Sequence, residues 1–564
     1  MNTAKQIREP RTDYLALEEP ALLRGFELLA TAEGGIAELR GLILALAVQG
    51  RLVSQDSSDE PARWSLARIR TAKEQLIASE KTKRRATKNH TANVGLAAGL
   101  PKGWEWASLS ELVTVLNGRA YAKQELLNAG TPVLRVGNLF TSKHWYYSDL
   151  QLEDDKYCDA GDLLFAWSAS FGPFIWTGPR VIYHYHIWKL ALHSETEFYK
   201  NYLYTFLLKK TQEMKASGHG VSMLHITKEA VEKIAVPVPP LAEQHRIVAR
   251  VEELMTLCDE LEARGRLADK QHTRLTANLF DALTASDSAQ TLANNWNSIA
   301  THFDLLLDRP QAIDALEQTI LQLAVRGLLV PQDASDEPTS SALARAAALI
   351  QPSAKTPEED WPFDLPPSWE WRRLASLHPE FQNGISSRGD ANGIPITVIR
   401  LADITNGRVS LSDPRVLPIS AAAVPKYGID VGDILVIRVN GSADLVGKFV
   451  RSTEKLDAIY CDHFIRMRLP SEVLAPGYLE LVGSSKVVRG EISKMFITTA
   501  GQKTINQGHI GALPLPIPPL AEQHRIVARV EHLRNLCDAL RERLNKVRAT
   551  QTHLAETLVM RSSR

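Results

Sequence analysis

Cysteine is scarce in this 564-residue chain. There are four, Cys158, Cys258, Cys461 and Cys537, and no two form a C-x-x-C pair. That spacing argues against zinc knuckles and disulfide frameworks. Long apolar runs are also missing. The longest near the N-terminus, Leu42 to Val48, is far short of the roughly 20 residues that cross a bilayer. The opening MNTAKQIREPRTD has no apolar signal core, so a cytoplasmic protein with no membrane partner is expected. Net charge is absent as well: 65 Lys and Arg balance 65 Asp and Glu. A protein that neutralises phosphates alone ordinarily carries a basic excess. Any nucleic-acid contact is therefore local, or is shared with partner subunits that supply positive charge.

Catalytic signatures are lacking too. The stretch GSADLVGKF (441–449) resembles a phosphate loop, but five residues separate its glycines and Phe449 stands where a hydroxyl would hold magnesium. There is no H-E-x-x-H, and no glycine fingerprint follows a strand as a dinucleotide or S-adenosylmethionine site requires. The Asn/Asp-Pro-Pro-aromatic tetrad of an amino-methyltransferase is missing. The cluster Glu153, Asp154, Asp155, Lys156 has no strand-borne acidic partner and reads as a solvated turn. Asp162 and Asp433 follow glycines before apolar strands, the usual place of a turn aspartate. No catalytic or metal-binding residue is assigned.

What the chain does have is repetition. Residues 239–252 read PPLAEQHRIVARVE, and residues 518–531 read the same at every position. Each copy opens a long helical pattern with a narrow apolar seam: Ile247, Val251, Leu254, Cys258 and Leu261, then Ile526, Val530, Leu533, Cys537, Leu540 and Leu544. Cys258 and Cys537 fit as small buried side chains on these stripes. Residues 242–284 alone make a helix of about 60 Å, and a seam so narrow calls for a partner helix. A second duplication aligns residues 36–61 with 313–338. It includes a helix that ends at Gly50 or Gly327, and FELL (26–29) matches FDLL (303–306). Gly34–Gly35 predicts a break between two helices. A third pairs LPKGWEWASLSEL (100–112) with LPPSWEWRRLASL (365–377). Trp104, Trp106, Trp369 and Trp371 read as core anchors there. The basic run Lys81, Lys83, Arg84, Arg85 and Lys88 reads as a linker.

Between each WEW and the following PPLAEQHR lies a β-rich block. The two blocks share landmarks but little sequence. Each has an Asn-Gly turn (Asn117–Gly118, Asn383–Gly384), an arginine-bearing strand (Arg135, Arg400), a Gly-Asp turn and an aromatic/His strand. Each closes with a Gly/Ser/Thr-rich loop. Arg, Lys, Asn, Gln and Ser are the side chains that read base edges and clamp phosphates. The candidate DNA contacts are therefore Arg119, Lys123, Arg135, Ser168, Ser170, His219 and Ser222 in the first block. In the second they are Ser386, Ser387, Arg388, Arg400, Arg438, Asn440, Ser442, Lys448, Gln502, Lys503, Asn506 and Gln507. The duplicated polar run, Glu243, Gln244, His245 and Arg246 with Glu522, Gln523, His524 and Arg525, is expected to cap its helix or dock a partner.

These duplications, with divergent blocks between them, resemble the specificity (S) subunit of type I restriction-modification enzymes over nearly the whole chain. The resemblance implies an α+β protein. Two α/β target recognition domains would be separated by long antiparallel coiled-coil-like helices in a pseudo-twofold tandem repeat. The implied division is an N-terminal helical region (1–99), a recognition domain (100–240), a central helical repeat (241–364), a second recognition domain (365–519) and a C-terminal spacer helix (520–564). Each domain would read half of a split double-stranded DNA target. The helices would dock two modification subunits that methylate adenine at N6, and through them two ATP-driven restriction subunits. No cofactor would bind this chain; S-adenosylmethionine, ATP and Mg2+ would belong to the partners. Because the C-terminal helix ends where an FDLL segment would follow, and FELL sits near the N-terminus, the two ends are expected to meet. The alternatives are a helical scaffold that binds no DNA, or a nuclease or methyltransferase in its own right.

Overall fold

The computed structural model describes residues 26–80, 99–168, 171–217, 227–349, 361–386, 389, 392–405, 407–499 and 501–562. Helices and strands are mixed along the chain. The described residues form two compact units, one running up to Leu267 and including the segment from Arg548, the other Ala268–Val547. The five segments expected from the sequence are thus gathered into two. The long helices Leu241–Thr284 and Leu520–Ser562 each contribute to both. The basic run 81–88 lies outside the described residues.

In the first unit, the helix Phe26–Thr31 ends before Gly34, whose φ of 75° restarts the chain as the helix Gly35–Val48. A side chain at Gly35 would strike the Leu29 carbonyl, so the tight corner requires glycine there. Gly50, at φ 69°, ends the second helix in the left-handed conformation while Arg51 N–H reaches back to the Leu46 carbonyl. The apolar stripe of this helix (Leu39, Ile43, Leu44, Ala47) shares one core with Ile247, Val251 and Cys258 of the long helix, with Leu29, and with Ala555. The C-terminal helical tail and the FELL segment therefore lie in the same core, as the sequence led us to expect. The second unit repeats this plan: Leu316, Ile320, Leu321 and Ala324 share a core with Ile526, Val530 and Cys537, and Phe280 and Leu283 join them.

The two β-rich blocks share the strand order and register of one four-stranded sheet. In the first, the antiparallel strands Val113–Asn117, Ile187–Leu192, Leu163–Ala166 and Gly172–Ile175 lie in that spatial order. In the second, Glu380–Asn383, Phe464–Arg468, Ile434–Ile437 and Phe449–Arg451 take the same places. A second sheet in each contains one parallel pair, Leu134 beside Tyr183 and Ile399 beside Tyr460. Apolar strands such as Leu163–Ala166 and Ile434–Ile437 are buried along their whole length, so an apolar run is all the frame asks of them.

Each block is closed where it leaves the helices. Strand Glu105–Ser108 pairs with Ala235–Val238, and Glu370–Arg373 with Pro514–Ile517, placing Trp106 opposite Pro237 and Trp371 opposite Pro516. Prolines are tolerated because each sheet has only two strands, so every strand is an edge. Trp104 and Trp369 are buried core anchors. Trp106 and Trp371, also expected as core anchors, are only part-buried; Trp371 stacks on Trp361 at 5.5 Å.

One reading is corrected. Asn117–Gly118 and Asn383–Gly384 do not make turns; each asparagine ends a strand. The glycines are needed because their backbone passes against another turn. An added Cβ would lie 2.4 Å from the His184 carbonyl oxygen or 2.0 Å from that of Cys461. The Gly-Asp turns are as expected, with Asp162 and Asp433 accepting the Asp159 and Asp430 N–H groups, each at 2.8 Å.

The indole N–H of Trp369 donates to buried Glu522 at 2.9 Å. Trp369→Phe leaves that carboxylate one donor short and is expected to lower the unfolding free energy by about 1–3 kcal/mol. Urea unfolding followed by circular dichroism measures this. An unchanged midpoint and slope would show that the bond contributes nothing.

Candidate nucleic-acid interface

In both blocks the strand that carries the aromatic/His motif begins at a tight turn: Tyr183–Ile187 in the first, Tyr460–Phe464 in the second. The last strand residue's neighbour leans on that turn. Trp167 donates its backbone N–H to the His186 carbonyl at 3.1 Å, and Arg438 donates its own to the His463 carbonyl at 2.7 Å. Trp167 and Arg438 therefore occupy equivalent positions, three residues past the paired Leu164 and Leu435.

The chemistry at these matched positions is different. In the first block Trp167 stacks on Trp188 with centroids 5.5 Å apart, meets His186 edge-on at 5.1 Å and donates its indole N–H to the Tyr185 carbonyl at 2.9 Å. His184 lies 4.9 Å from His186, and Tyr121 stacks against His184 at 6.3 Å. The Arg119 guanidinium lies 5.4 Å from the Tyr121 ring, and that of Arg135 lies 4.4 Å from the Tyr146 ring. Arg119 Nη1, Tyr121 Oη and Arg135 Nε are buried without a hydrogen-bond partner among the described residues. The face is aromatic, with buried donors left open.

The second block presents amides and cations. Arg438 is held by its backbone at both ends, because Ile505 N–H also donates to its carbonyl at 3.0 Å. Asn440 pairs across a short ladder with Lys503, and Lys503 Nζ reaches the Gly441 carbonyl at 3.3 Å. Gln502 is exposed at the start of the same strand. Gln507 donates to the Asn383 side chain at 3.1 Å, and Asn506 caps the short helix that follows by accepting the His509 N–H. The Arg438 guanidinium makes no hydrogen bond or ion pair with a described residue.

Among the described residues, one donor group has the makings of a metal site, Cys461, Asp462 and His463, whose ligand atoms lie within 4.8 Å of one another. They are consecutive residues of a single turn. Burial pushes the Cys461 thiol up, against the thiolate a soft metal needs. The fit is poor.

A family model described as the type I restriction modification DNA specificity domain matches residues 101–269. The Escherichia coli type I restriction enzyme EcoEI specificity subunit is 30% identical, covering 93% of this chain and 93% of its own length. The EcoAI specificity subunit from Escherichia coli is 28% identical, with the same 93% coverage of each chain. This chain belongs to the type I restriction enzyme specificity subunits. A solved chain of a type I R-M system is similar over 83% of this chain and 99% of its own, at 18% identity and a TM-score of 0.47.

In this specificity subunit, the residues singled out from the sequence fall into four groups. Arg438, Asn440, Ser442, Gln502, Lys503, Asn506 and Gln507 are brought close by the strands Val439–Asn440 and Gln502–Thr504 and the helix Gln507–Gly511. Others are already engaged. Arg400 is clamped by buried Asp403 at 2.9 and 3.1 Å and by the Asp413 carbonyl at 2.7 Å, so it is a structural arginine. Arg119 is paired with Glu125 at 2.7 Å. Ser168 is buried, and Lys448 points its amine toward Gly407. Lys123 and Ser386 are exposed, and Arg135 is part-buried on Tyr146. Ser170, His219, Ser222, Ser387 and Arg388 lie outside the described residues. The sequence reading missed Trp167, Tyr185, His186 and Tyr121. Aligning the blocks on their Gly-Asp turns would have set Trp167 against Arg438.

The duplicated polar run is corrected in part. Glu243, Gln244, Glu522 and Gln523 are at most 1% exposed and cannot meet a partner. Glu243 accepts from Gln55 and Trp104, and Gln244 bridges Tyr199 N–H to the Pro239 carbonyl. Glu522 and Gln523 repeat this with Gln332, Trp369, Ala475 and Pro518. Arg246 and Arg525 clamp Asp59 and Asp336. Only His245, stacked on Tyr199 at 3.9 Å, and His524 are exposed.

Burial, then His186 and Arg135, pull His184 down to about 4 from its ordinary 6.5. The neutral ring is the form the fold prefers. Its contribution to stability is complete above pH 6.5 and is lost as pH falls toward 4. Histidine NMR on the full chain should show His184 neutral at pH 5.5. A midpoint near 6.5 would contradict the packing described.

Proposed function

We propose that each β-rich block of this specificity subunit reads one half of an asymmetric, bipartite double-stranded DNA target. The observation that carries this reading is the pairing of one topology and one register with two chemistries, aromatic at Trp167 and cationic at Arg438. A shared frame presents both faces in the same way, while the faces themselves cannot recognise the same bases. Arg438 suits bidentate contact with guanine, and Asn440 with adenine. Readers about 34 Å apart would meet one face of the duplex and leave the intervening bases unread.

The long helices act in this reading as antiparallel coiled-coil-like spacers in a pseudo-twofold repeat. The duplicated frame offers two equivalent surfaces, around His245 and His524, to two copies of one modification subunit. Two restriction subunits join through these. S-adenosylmethionine, ATP and Mg2+ belong to those partners, and this chain supplies recognition alone.

Adenine-methylation sequencing in cells that carry this chain with its modification and restriction partners tests the proposal. Arg438→Ala is expected to relax or change one half of the methylated sequence, with a loss of about 1–3 kcal/mol of discrimination at one base pair. Trp167→Ala is expected to affect only the other half. Changes that fall on both halves, or on neither, would contradict the assignment. Substituting His245 and His524 together by alanine should weaken co-purification with the modification subunit and leave the methylated sequence unchanged.

A further inference from the structure

Each helical hairpin docks on its long helix through contacts that the other half duplicates. Helix Gly35–Val48 shares a core with Ile247, Val251 and Cys258, and helix Pro310–Val325 shares one with Ile526, Val530 and Cys537. Gln55 bonds Glu243 at 2.5 Å, and Gln332 bonds Glu522 at 2.6 Å. Arg246 clamps Asp59 and Arg525 clamps Asp336, both at 2.5 Å. None of these bonds distinguishes one half from the other. A hairpin that docked on the long helix of the wrong half would recover all of them.

Three charged sites do distinguish the halves. The duplicated segments align Arg40 with Glu317 and Glu262 with Arg541. In the first unit Arg40 pairs with Glu262 at 2.9 Å and Asp259 at 2.5 Å. In the second, Arg541 pairs with Glu317 at 3.3 Å and Asp314 at 2.9 Å. The ion pair is the same, with its polarity reversed. A further pair, Arg309 with Asp269 at 2.6 Å, exists in the second unit, whereas Ala32 and Arg548 hold the matching places in the first. Crossed docking would set Arg40 against Arg541, Glu317 against Glu262 and Arg309 against Arg548. Three attractions would become three like-charge encounters; the Arg40–Asp259 bond adds nothing to the difference, since Asp538 stands at the matching place.

We propose that this reversed polarity is the surface by which each hairpin recognises the long helix of its own half. It would exclude the other half, whether in the same chain or in a second copy. Part-exposed ion pairs are individually modest. The Ile/Val/Cys seam and the hydrogen bonds named above recur in both arrangements, so the reversed charges distinguish two otherwise similar docking surfaces. Specificity between near-identical surfaces calls for such a repulsive element.

Two differently tagged full-length chains, unfolded together in urea, refolded by dilution and captured through one tag, provide the test. The wild-type chain should co-capture little of its second copy. Glu317→Arg with Arg541→Glu keeps an ion pair in the second half but gives it the polarity of the first. Co-capture should then rise several-fold. Adding Arg40→Glu and Glu262→Arg reverses both halves and restores the difference between them, so co-capture should return to the wild-type level. The proposal is overturned if the double variant matches wild type. It is equally overturned if the fourfold reversal stays as high as the double variant, because general destabilisation would then account for the rise.

Discussion

A buried carboxylate ties each half of the molecule together. Glu243 sits at the first turn of its long helix, yet its oxygens face inward, one toward Gln55 and one toward the Trp104 indole. Glu522 does the same with Gln332 and Trp369. Burial pushes both carboxyls above the usual range, while the two donors pull the other way. A group so costly to bury is tolerated only with its partners in place, and losing any one leaves an unsatisfied acceptor. The triad joins three distant segments: the loop after the helical hairpin, the tryptophan entrance of the block, and the start of the long helix. The neighbouring glutamine extends the same lock to the strand that leads into the helix, through the Pro239 or Pro518 carbonyl. The sameness of PPLAEQHRIVARVE in both copies follows from this. About half of the stretch is buried, and Arg246 and Arg525 are bonded to fixed partners.

With the frame locked at that point, the inserted blocks are free to differ. They are joined to it by a two-stranded ribbon and by buried tyrosines, Tyr202 and Tyr478, whose hydroxyls donate to the Pro237 and Pro516 carbonyls. Inside the blocks, buried strands need only be apolar. Glycine is required where the Asn-Gly backbone meets the neighbouring turn. The strand ends carry neither demand, and there the first block has Trp167 and the second has Arg438. The proposed recognition positions thus lie where packing exerts little constraint on residue type.

This division explains what the sequence disclosed and what it withheld. The duplications, the helix break at Gly34, the stops at Gly50 and Gly327 and the anchors Trp104 and Trp369 were legible, because each depends on local pattern or exact repetition. The polar run Glu243–Arg246 was misjudged because surface-type residues at a helix start ordinarily face water; only the matching Trp104 and Gln55 reveal otherwise. Arg400 was taken for a reader although Asp403 stands three residues on, within reach of a clamp. Trp167 and His186 could not be joined without knowing which strands pair, since their contact crosses nineteen positions and depends on sheet register.

The balance of charge acquires a physical meaning from the same contacts. In the second block Arg400, Arg451, Arg466 and Arg468 are each bound to a carboxylate of the chain itself. Arg489 is turned inward onto the carbonyls of Ala443, Asp444 and Val446. These guanidinium groups shape the block and are not free to neutralise phosphate. Arg438 is different, since its backbone is fixed and its guanidinium is unengaged by described residues. A chain built this way contributes little of the salt-sensitive, sequence-independent attraction that dominates most DNA binding. In the proposed reading, an unengaged group such as Arg438 contributes discrimination between base edges. On the proposed reading, much of the affinity would come from the partner subunits, and this chain would choose the site without being the main source of the energy that holds it.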